Sequence, residues 1–375
     1  MFLIIIKYEL TLNMKTLYIT ILACFSLLIS TTKAQQRTEN LIVITTDGLR
    51  WQEVFGGMDT SIANNRRFNQ GDSLAIYRRF WSENTEARRS KLLPFLWSTI
   101  WQNGQIYGNR NLGSKVNTSN SYWFSYPGYS EIFCGFFDPK INSNDYRDNP
   151  NVNVLEYINK QPKYKGKVYV FAAWEALNRI LNENRSGVPV VAAFDHCGGK
   201  SPDQNEVLIN SMLNDSFKPF GESECLDVFT HYAAINTLKK RKPKVLYISY
   251  GETDEWAHHG YYKSYLEAAQ QFDKWVKEIW DYVQSDKAYR NKTTLLITVD
   301  HGRGNSDLWT DHGSNIPGAS GIWFAAMGPD TPHRGEVKTE SQFYQNQFAQ
   351  TIASFLQLDF KADHPVGKMI EEVKK

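Results

Sequence analysis

The chain has 375 residues, of which 42% are hydrophobic and 22% are charged, and its formal net charge at pH 7 is +2. These fractions are typical of a folded globular protein and exclude an intrinsically disordered or collagen-like chain. Residues 1–34 carry three lysines and one glutamate, so the rest of the chain has no net charge when histidine is neutral. Bulk charge therefore gives no reason to expect binding to nucleic acid or to an anionic membrane surface.

The N-terminus has the pattern of a secretory signal peptide. Lys15 precedes the apolar run 17–29, and small residues follow up to Ala34. This order predicts a signal peptide over residues 1–34 and a secreted or periplasmic protein, with Met14 as the true start. An uncleaved anchor would need a longer apolar run, so no stable membrane insertion is expected. Residues 35–375 show no internal repeat or linker and are interpreted as one domain.

Cysteine usage bears on both redox state and metal binding. Outside the predicted signal peptide, the chain has Cys134, Cys197 and Cys225. In an oxidising compartment Cys197 and Cys225 could form a disulfide, and the sequence leaves open whether they do. The spacing of these cysteines does not match a zinc knuckle. Any metal ligands are therefore expected to be aspartates and histidines.

Apolar runs and helical periodicity alternate along the chain. Strands are predicted at 41–46, 167–172, 245–250, 294–299 and 322–327, and most of these segments are continuous apolar runs, as expected for strands covered on both faces. Periodic apolar residues predict helices at 264–284 and 341–356. The polar segment 59–91, with three pairs of arginines expected in solvent, and the segment 196–226 are interpreted as surface excursions. This alternation predicts an α/β protein with a mixed, largely parallel central sheet sandwiched between helices.

Two of the predicted strands end at an aspartate. Asp47-Gly48 follows the run 41–46, and Asp300-His301-Gly302 follows the run 294–299. The carboxyl ends of parallel strands meet at one edge of a sheet, where α/β proteins place their ligands. Carboxylates and imidazoles arranged in this way are suitable ligands for divalent metal ions.

A third predicted strand, 245–250, leads into Asp254 and His258. Their spacing of four residues would place both side chains on one face of a helix, where they could bind a single ion. The neighbouring His259 would point away from Asp254. His312 lies in a Gly/Ser-rich loop after the pair Asp300-His301. Because Asp-His pairs occur four times, a single pair is weak evidence. The pairs at 195–196 and 363–364 are expected to be ordinary surface residues or residues that support a ligand without binding the ion.

Ser125 is the candidate nucleophile. It precedes Tyr126-Pro127 at a predicted helix start, where backbone N–H groups favour an incoming anion. A serine hydroxyl is a poor nucleophile until a metal ion or a base removes its proton. The alternative interpretation is a helix-capping serine. The other candidate nucleophiles are Thr118, Ser119, Ser121 and Ser130.

Taken together, these motifs resemble the alkaline phosphatase superfamily, and most of all its nucleotide pyrophosphatase/phosphodiesterase branch. The resemblance implies two divalent metal ions, Zn²⁺ or alternatively Mn²⁺. It assigns one ion to Asp254, His258 and His312. It assigns the other to Asp47, Asp300 and His301, with Ser125 as nucleophile and further metal contact. It also implies an asparagine that binds a substrate oxygen, which is either Asn142 or Asn144.

The chain departs from the family patterns directly after the nucleophile. The phosphodiesterase branch usually has Asn-His where this chain has Gly128-Tyr129, and sulfatases have arginine where Tyr129 stands. The resemblance implies a secreted hydrolase of small-molecule phosphate esters, either a phosphodiesterase or a phosphomonoesterase, acting through a phosphoserine. The alternatives are a sulfuric-ester hydrolase, a phosphomutase of the same superfamily, and a secreted binding protein without catalytic activity.

Overall fold

The computed structural model describes residues 37–374. The predicted signal peptide over 1–34, including the proposed start at Met14, lies outside the described residues and stays a prediction. Among the described helices, none combines the length and apolar character needed to cross a membrane.

An eight-stranded sheet forms the centre of the described chain, in the order β10-β2-β9-β7-β1-β6-β4-β5. Its strands are β1 (Asn40–Thr46), β2 (Gly104–Tyr107), β4 (Val168–Ala172), β5 (Val190–Ala192), β6 (Val245–Tyr250), β7 (Thr293–Thr298), β9 (Phe324–Met327) and β10 (Gly335–Glu336). The five strands β7, β1, β6, β4 and β5 are mutually parallel, whereas β9 is antiparallel to both of its neighbours. The predicted mixed, largely parallel sheet is confirmed.

A smaller sheet has the order β11-β3-β8, with β3 (Ser114–Asn117), β8 (Gly321–Ile322) and β11 (Ser341–Tyr344). The single strand predicted at 322–327 is therefore two strands that belong to different sheets. The chain changes sheet at Trp323, whose buried indole N–H donates to the carbonyl of Leu49. An apolar run does not reveal such a change because both strands are buried.

Helices cover the sheet. They are α1 (Trp51–Gly56), α2 (Thr60–Ala63), α3 (Ser73–Phe80), α4 (Thr85–Leu92), α5 (Trp101–Asn103), α6 (Ser125–Cys134), α7 (Val154–Lys160), α8 (Leu177–Ile180), α9 (Glu183–Ser186), α10 (Gln204–Asn214), α11 (Asp227–Arg241), α12 (Glu252–His258), α13 (Tyr262–Ser285) and α14 (Phe348–Phe355). The 24-residue helix α13 matches the one predicted at 264–284 and buries Leu266, Phe272, Val276 and Ile279.

Two further sequence-based expectations were wrong. The helix predicted at 341–356 begins only at Phe348, because residues 341–344 pair with β3 as strand β11. Within β11, Phe343 is buried between exposed neighbours, which is the alternation of a strand rather than of a helix. Arg89, expected in solvent, is buried and forms a bidentate pair with Glu336.

The three described cysteines are separate thiols. Cys134, Cys197 and Cys225 are all free and buried. The Cys197 thiol lies 3.2 Å from Asn210 Oδ1, and the Cys225 thiol lies 3.6 Å from the hydroxyl of Thr230. The disulfide considered for Cys197 and Cys225 is therefore absent from this structure.

Candidate metal centre and nucleophile

Three neighbouring parallel strands bring the predicted ligands to one edge of the sheet. Strand β1 lies between β6 and β7, with Thr46 opposite Tyr250 and Thr45 opposite Thr298. Each of these strands stops at the same level, so the residues that follow them converge. Asp47 follows β1, Asp300 follows β7, and Asp254 lies on α12 just after β6.

The first group of ligands consists of Asp47, Asp300 and His301 and is called the Asp47 cluster. Asp47 Oδ1 and Asp300 Oδ2 each lie 3.3 Å from His301 Nε2. His301 Nδ1 donates to the carbonyl of Gly302 at 2.9 Å, so in the neutral ring the Nε2 lone pair faces the two carboxylates. All three residues are buried.

The Asp47 cluster fits a divalent metal ion. Asp47 Oδ1 and Asp300 Oδ2 are buried and make no hydrogen bond within the described residues. Buried carboxylate oxygens without partners are costly unless an ion or a proton compensates them. One donor atom from each residue lies within 4.8 Å of the others. Tetrahedral Zn²⁺ ligands bonded at about 2.1 Å lie about 3.4 Å apart, which matches the observed 3.3 Å separations.

The second group consists of Asp254, His258 and His312 and is called the Asp254 cluster. His258 Nε2 lies 3.0 Å from Asp254 Oδ2 and 3.0 Å from His312 Nε2. Asp254 Oδ1 and His312 Nε2 are 3.9 Å apart. His312 Nδ1 donates to the carbonyl of Trp123 at 3.2 Å, so its Nε2 lone pair faces the cluster. These separations also suit a shared ion.

The two clusters adjoin each other at His301. Its ring stacks on the ring of His312 with centroids 3.9 Å apart, and its Nε2 lies 3.8 Å from Asp254 Oδ1. One donor atom each from Asp254, His301 and His312 also lies within 4.8 Å of the others, so His301 could contribute to an ion at either cluster. The residue His259, in contrast, is exposed and bonds to the carbonyl of Glu255, as its spacing predicted.

Ionisation in the Asp47 cluster reflects burial and crowded charge. Burial alone would lower the pKa of His301, but the carboxylates of Asp300 and Asp47 outweigh this and raise the pKa to about 9. Burial and the charge of Asp47 raise the pKa of Asp300 well above its usual value. Two carboxylates, Asp47 and Asp300, thus face the single imidazole of His301, and this excess of negative charge favours a bound cation.

Arg303 is a site residue that the sequence analysis missed. Its buried guanidinium contacts Asp254 Oδ1 and the carbonyl of Thr310, and its Nε donates to the carbonyl of Trp309. Burial alone would raise the pKa of Asp254, but Arg303 and His258 hold this pKa well below its usual value. The available signal was its position, two residues after His301 in the loop that follows β7.

Ser125 is the first residue of helix α6, and its side chain faces the Asp47 cluster. Its Oγ lies 3.3 Å from His301 Nε2. Gly128 allows this approach, because a Cβ atom there would lie 2.4 Å from the carbonyl oxygen of Asp300. The helix start therefore packs directly against the end of strand β7. The structure brings Ser125 together with the three ligands that the sequence had associated with it.

The two candidate asparagines differ in their position. Asn144 Oδ1 accepts a hydrogen bond from the backbone N–H of Tyr126 at 2.9 Å, in the first turn of α6. Asn142 is exposed and has no hydrogen bond to this helix. Asn144 is therefore the asparagine that lies next to the start of helix α6 and Ser125. Ser119 and Ser130 bond instead to Glu131 and Asn149, away from the clusters.

Tyr129 is the second residue that the sequence analysis missed as part of the site. Its hydroxyl donates to Asp47 Oδ2 at 3.0 Å and accepts from Ser249 at 3.2 Å. Burial raises the pKa of Tyr129 well above 10, so the hydroxyl stays protonated and serves as a donor. Its position four residues after Ser125, on the same face of α6, was the signal.

Comparisons with known proteins agree with this geometry. Residues 202–358 match the model of the metalloenzyme superfamily. Over 89 residues the chain is 33% identical to a 2,3-bisphosphoglycerate-independent phosphoglycerate mutase from Gracilaria tenuistipitata var. liui. That match covers 22% of this chain and 16% of the mutase, so the chain matches a small part of that protein.

Solved structures share the fold over most of the chain. A variant of alkaline phosphatase PafA superposes with a TM-score of 0.60 and 10% identity, covering 92% of this chain and 100% of that one. The phosphonate monoester hydrolase of Agrobacterium radiobacter superposes with a TM-score of 0.55 and 12% identity, covering 89% and 77% respectively. At these identities the likeness is one of fold, and function is carried by the site.

Proposed function

We propose that this chain is a metalloenzyme of the alkaline phosphatase superfamily that hydrolyses phosphoric esters with Ser125 as its nucleophile. One observation carries the proposal. The Ser125 hydroxyl and the partnerless oxygens of Asp47 and Asp300 all lie around His301 Nε2, with separations of 3.3 Å. A serine beside an anionic, buried ligand set is suited to attack on phosphorus, whereas a helix-capping serine would need no such neighbours.

Ser125 and the two ligand clusters have different roles in the proposed reaction. Ser125 Oγ forms a bond to phosphorus in line with the leaving oxygen, whose bond breaks while the hydroxyl proton passes to water. Attack of water on the resulting phosphoserine then restores the serine and releases phosphate when the substrate is a monoester, or a phosphomonoester when it is a diester. Asp47, Asp300 and His301 would hold one divalent ion, and Asp254, His258 and His312 a second. When bound, such ions lower the pKa of a hydroxyl and offset charge on phosphoryl oxygens.

The mixed carboxylate and imidazole donors suit Zn²⁺, with Mn²⁺ as the alternative. Asn144 is proposed to bind a non-bridging oxygen of the substrate. Its Oδ1 is occupied by the Tyr126 N–H, and its Nδ2 makes no hydrogen bond within the described residues, so it is free to donate. The proposed substrate is a small-molecule phosphate ester, with a slight preference for diesters. Secretion or periplasmic location is proposed from residues 1–34.

The partial likeness to a phosphoglycerate mutase favours one competing function. A mutase would pass the phosphoryl group from the serine to a hydroxyl of the same substrate instead of to water. The arrangement of ligands does not separate these outcomes, because both need an activated serine. They differ in the fate of the phosphoryl group, which can be measured directly.

The test is a kinetic panel on the metal-loaded protein with matched aryl phosphate, bis-aryl phosphate and aryl sulfate esters. We expect kcat/KM to be higher for at least one phosphate class than for the sulfate, together with phosphate on the peptide that contains Ser125 after acid quenching. Sulfate turnover equal to or above both phosphate classes would overturn the proposal. Interconversion of phosphoglycerates without release of phosphate would identify a mutase. No turnover by a protein that also retains no metal after incubation with Zn²⁺ or Mn²⁺ would support a binding protein without catalytic activity.

A further inference from the structure

We propose that Glu131 is a positioning residue for the Asp254 cluster, acting on the metal ligand His312 through Asn120 and the backbone of Trp123. The inference rests on the proposed function in that it takes the Asp254 cluster as a metal site. Glu131 lies on α6, two turns after Ser125, and touches none of the proposed ligands.

Glu131 is fully buried and makes four hydrogen bonds to two consecutive residues. Its Oε1 accepts from the backbone N–H of Ser119 at 2.8 Å and from the Ser119 hydroxyl at 2.6 Å. Its Oε2 accepts from the backbone N–H of Asn120 at 2.8 Å and from Asn120 Nδ2 at 2.7 Å. Burial raises the pKa of Glu131, and these four donors oppose that shift. The carboxylate therefore ties the loop before α6 to the helix itself.

Asn120 connects Glu131 to the following residues of the loop, Tyr122 and Trp123, through hydrogen bonds. While its amide nitrogen bonds to Glu131, its Oδ1 accepts from the backbone N–H groups of Tyr122 at 3.0 Å and Trp123 at 2.9 Å. Asn120 is 1% exposed, so its side chain lacks water as an alternative partner. A buried network in which every member is bonded specifies one loop conformation.

Trp123 adopts an unfavourable backbone conformation at the end of this network. Its φ is +53°, in the left-handed region that is rare for a bulky residue. Such a conformation persists only where surrounding contacts impose it. Its carbonyl accepts from His312 Nδ1 at 3.2 Å. The bond determines which nitrogen of His312 carries the proton and directs Nε2 toward Asp254 and His258.

Backbone carbonyls that bond the outer nitrogen of a ligating histidine set its tautomer and orientation, and losing such a partner typically lowers metal affinity about 10–100-fold. The Asp47 cluster has a separate arrangement of this kind, because His301 bonds to the carbonyl of Gly302. Weakening the Glu131 network should therefore affect one metal site and spare the other.

The test measures Zn²⁺ affinity by competition with a chelator, in two backgrounds that each retain one cluster. Asp300→Asn leaves the Asp254 cluster, and His258→Ala leaves the Asp47 cluster. We expect Glu131→Gln, which replaces one of the two acceptor oxygens, each accepting two hydrogen bonds, by a donating NH₂ group, to lower affinity about 10–100-fold in the first background and less than about 3-fold in the second. Asp273→Asn is the matched control, because Asp273 is also a buried helical carboxylate that accepts two backbone N–H groups, from Phe95 and Leu96.

Equal losses in both backgrounds, or no loss in either, would overturn the inference. If Glu131→Gln does not fold, as judged by circular dichroism, Asn120→Ala carries the same expectation, because it removes the acceptor for the Trp123 N–H. These measurements need no substrate. A protein that binds two ions and hydrolyses none of the esters would contradict the proposed function, and the affinity measurements would still test this inference. An active protein in which Glu131→Gln causes equal losses of Zn²⁺ affinity in both backgrounds would contradict this inference and leave the proposed function intact.

Discussion

The hydroxyl of Tyr129 donates to Asp47 Oδ2 at 3.0 Å, which leaves Asp47 Oδ1 directed at His301 Nε2. Helix α6 therefore reaches the Asp47 cluster twice, through the Ser125 hydroxyl and, one turn later, through Tyr129. This position is the one at which sulfatases carry an arginine. In this chain the neutral hydroxyl of Tyr129 occupies that position and holds Asp47, a proposed metal ligand, in place.

Replacing Tyr129 by phenylalanine removes this donor with little change in volume. Because one oxygen of Asp47 then loses its fixed partner, we expect the affinity of the Asp47 cluster for Zn²⁺ to fall about 10–100-fold. Equilibrium competition with a chelator measures the change. Tyr247→Phe is the control, since the buried Tyr247 hydroxyl bonds to Thr45 instead of to a ligand. Similar affinities for both variants would show that Tyr129 does not position Asp47.

Replacing Ser125 by alanine should abolish most of the chemical step. Loss of a nucleophile commonly lowers kcat by about 10³-fold or more. The proposed ligand residues remain, so bound metal should stay close to two ions per chain, measured by elemental analysis. A kcat near that of the wild type would mean that another group attacks phosphorus. A loss of both ions would mean that Ser125 is needed for metal binding at both clusters, so that the fall in kcat could not be assigned to a missing nucleophile.

Gly128→Ala tests the close contact between α6 and strand β7. The added Cβ would lie 2.4 Å from the carbonyl oxygen of Asp300, a backbone atom that cannot rotate away. We expect a loss of about 1–3 kcal/mol in the free energy of unfolding, together with a lower kcat because Ser125 is displaced. Gly56→Ala is the control, because nothing lies within 4 Å of the added atom. Equal stability of the two variants in urea denaturation would contradict the expectation.

His231 should make the protein less stable in mild acid. Burial lowers its pKa from 6.5 to about 4, and the charge of Glu278 opposes the shift. The titratable groups that face it are Tyr232, Tyr250, Glu278, Lys239 and Lys274. In the unfolded chain His231 takes up a proton below about pH 6.5, whereas in the folded protein it stays neutral until about pH 4. The free energy of unfolding therefore falls as the pH drops from about 6.5 to about 4.

The free energy of unfolding attributable to His231 should decrease by up to about 3 kcal/mol between pH 7 and pH 4. Urea denaturation across this range measures it. In His231→Gln the corresponding part of the pH dependence should disappear, although the variant is less stable at pH 7. An unchanged slope in the variant would assign the acid sensitivity to other groups.

The buried pair of Arg89 and Glu336 should be important for stability. Both side chains are buried, and the Arg89 guanidinium also lies 3.5 Å from the ring centroid of Trp97. Arg89→Ala would leave the buried Glu336 carboxylate with Asn109 Nδ2 at 2.6 Å and the exposed Lys338 Nζ at 3.9 Å as its remaining partners, and we expect a cost of about 3 kcal/mol, the lower end for breaking a buried pair. Arg78→Ala, at an exposed position, should change the free energy by less than about 0.5 kcal/mol. Thermal or urea unfolding compares the two directly.

Sequence alone determined the central part of the fold and the identity of the acidic residues and histidines that converge at its edge. The buried strands before Asp47, Asp254 and Asp300 appear as long apolar runs, because parallel strands covered on both faces have no polar side to interrupt them. Since parallel strands end at a common edge, two runs that end at Asp47 and Asp300 and a third that leads into Asp254 predict that these residues meet. The spacing of His258 from Asp254 needed only the period of a helix.

Tertiary structure alone decided the contacts between segments that are distant in the chain. Local position places Arg303 and Tyr129 near the site, but it does not identify Asp254 and Asp47 as their partners. In the same way, no local pattern identifies Glu336 as the buried partner of Arg89. Each contact depends on which strands and helices become neighbours. The separation of 322–327 into two strands and the strand at 341–344 have the same origin, because short apolar runs do not specify the sheet they join. Local periodicity encodes which face of an element is buried, whereas the partner buried against it is set by the packing of the whole chain.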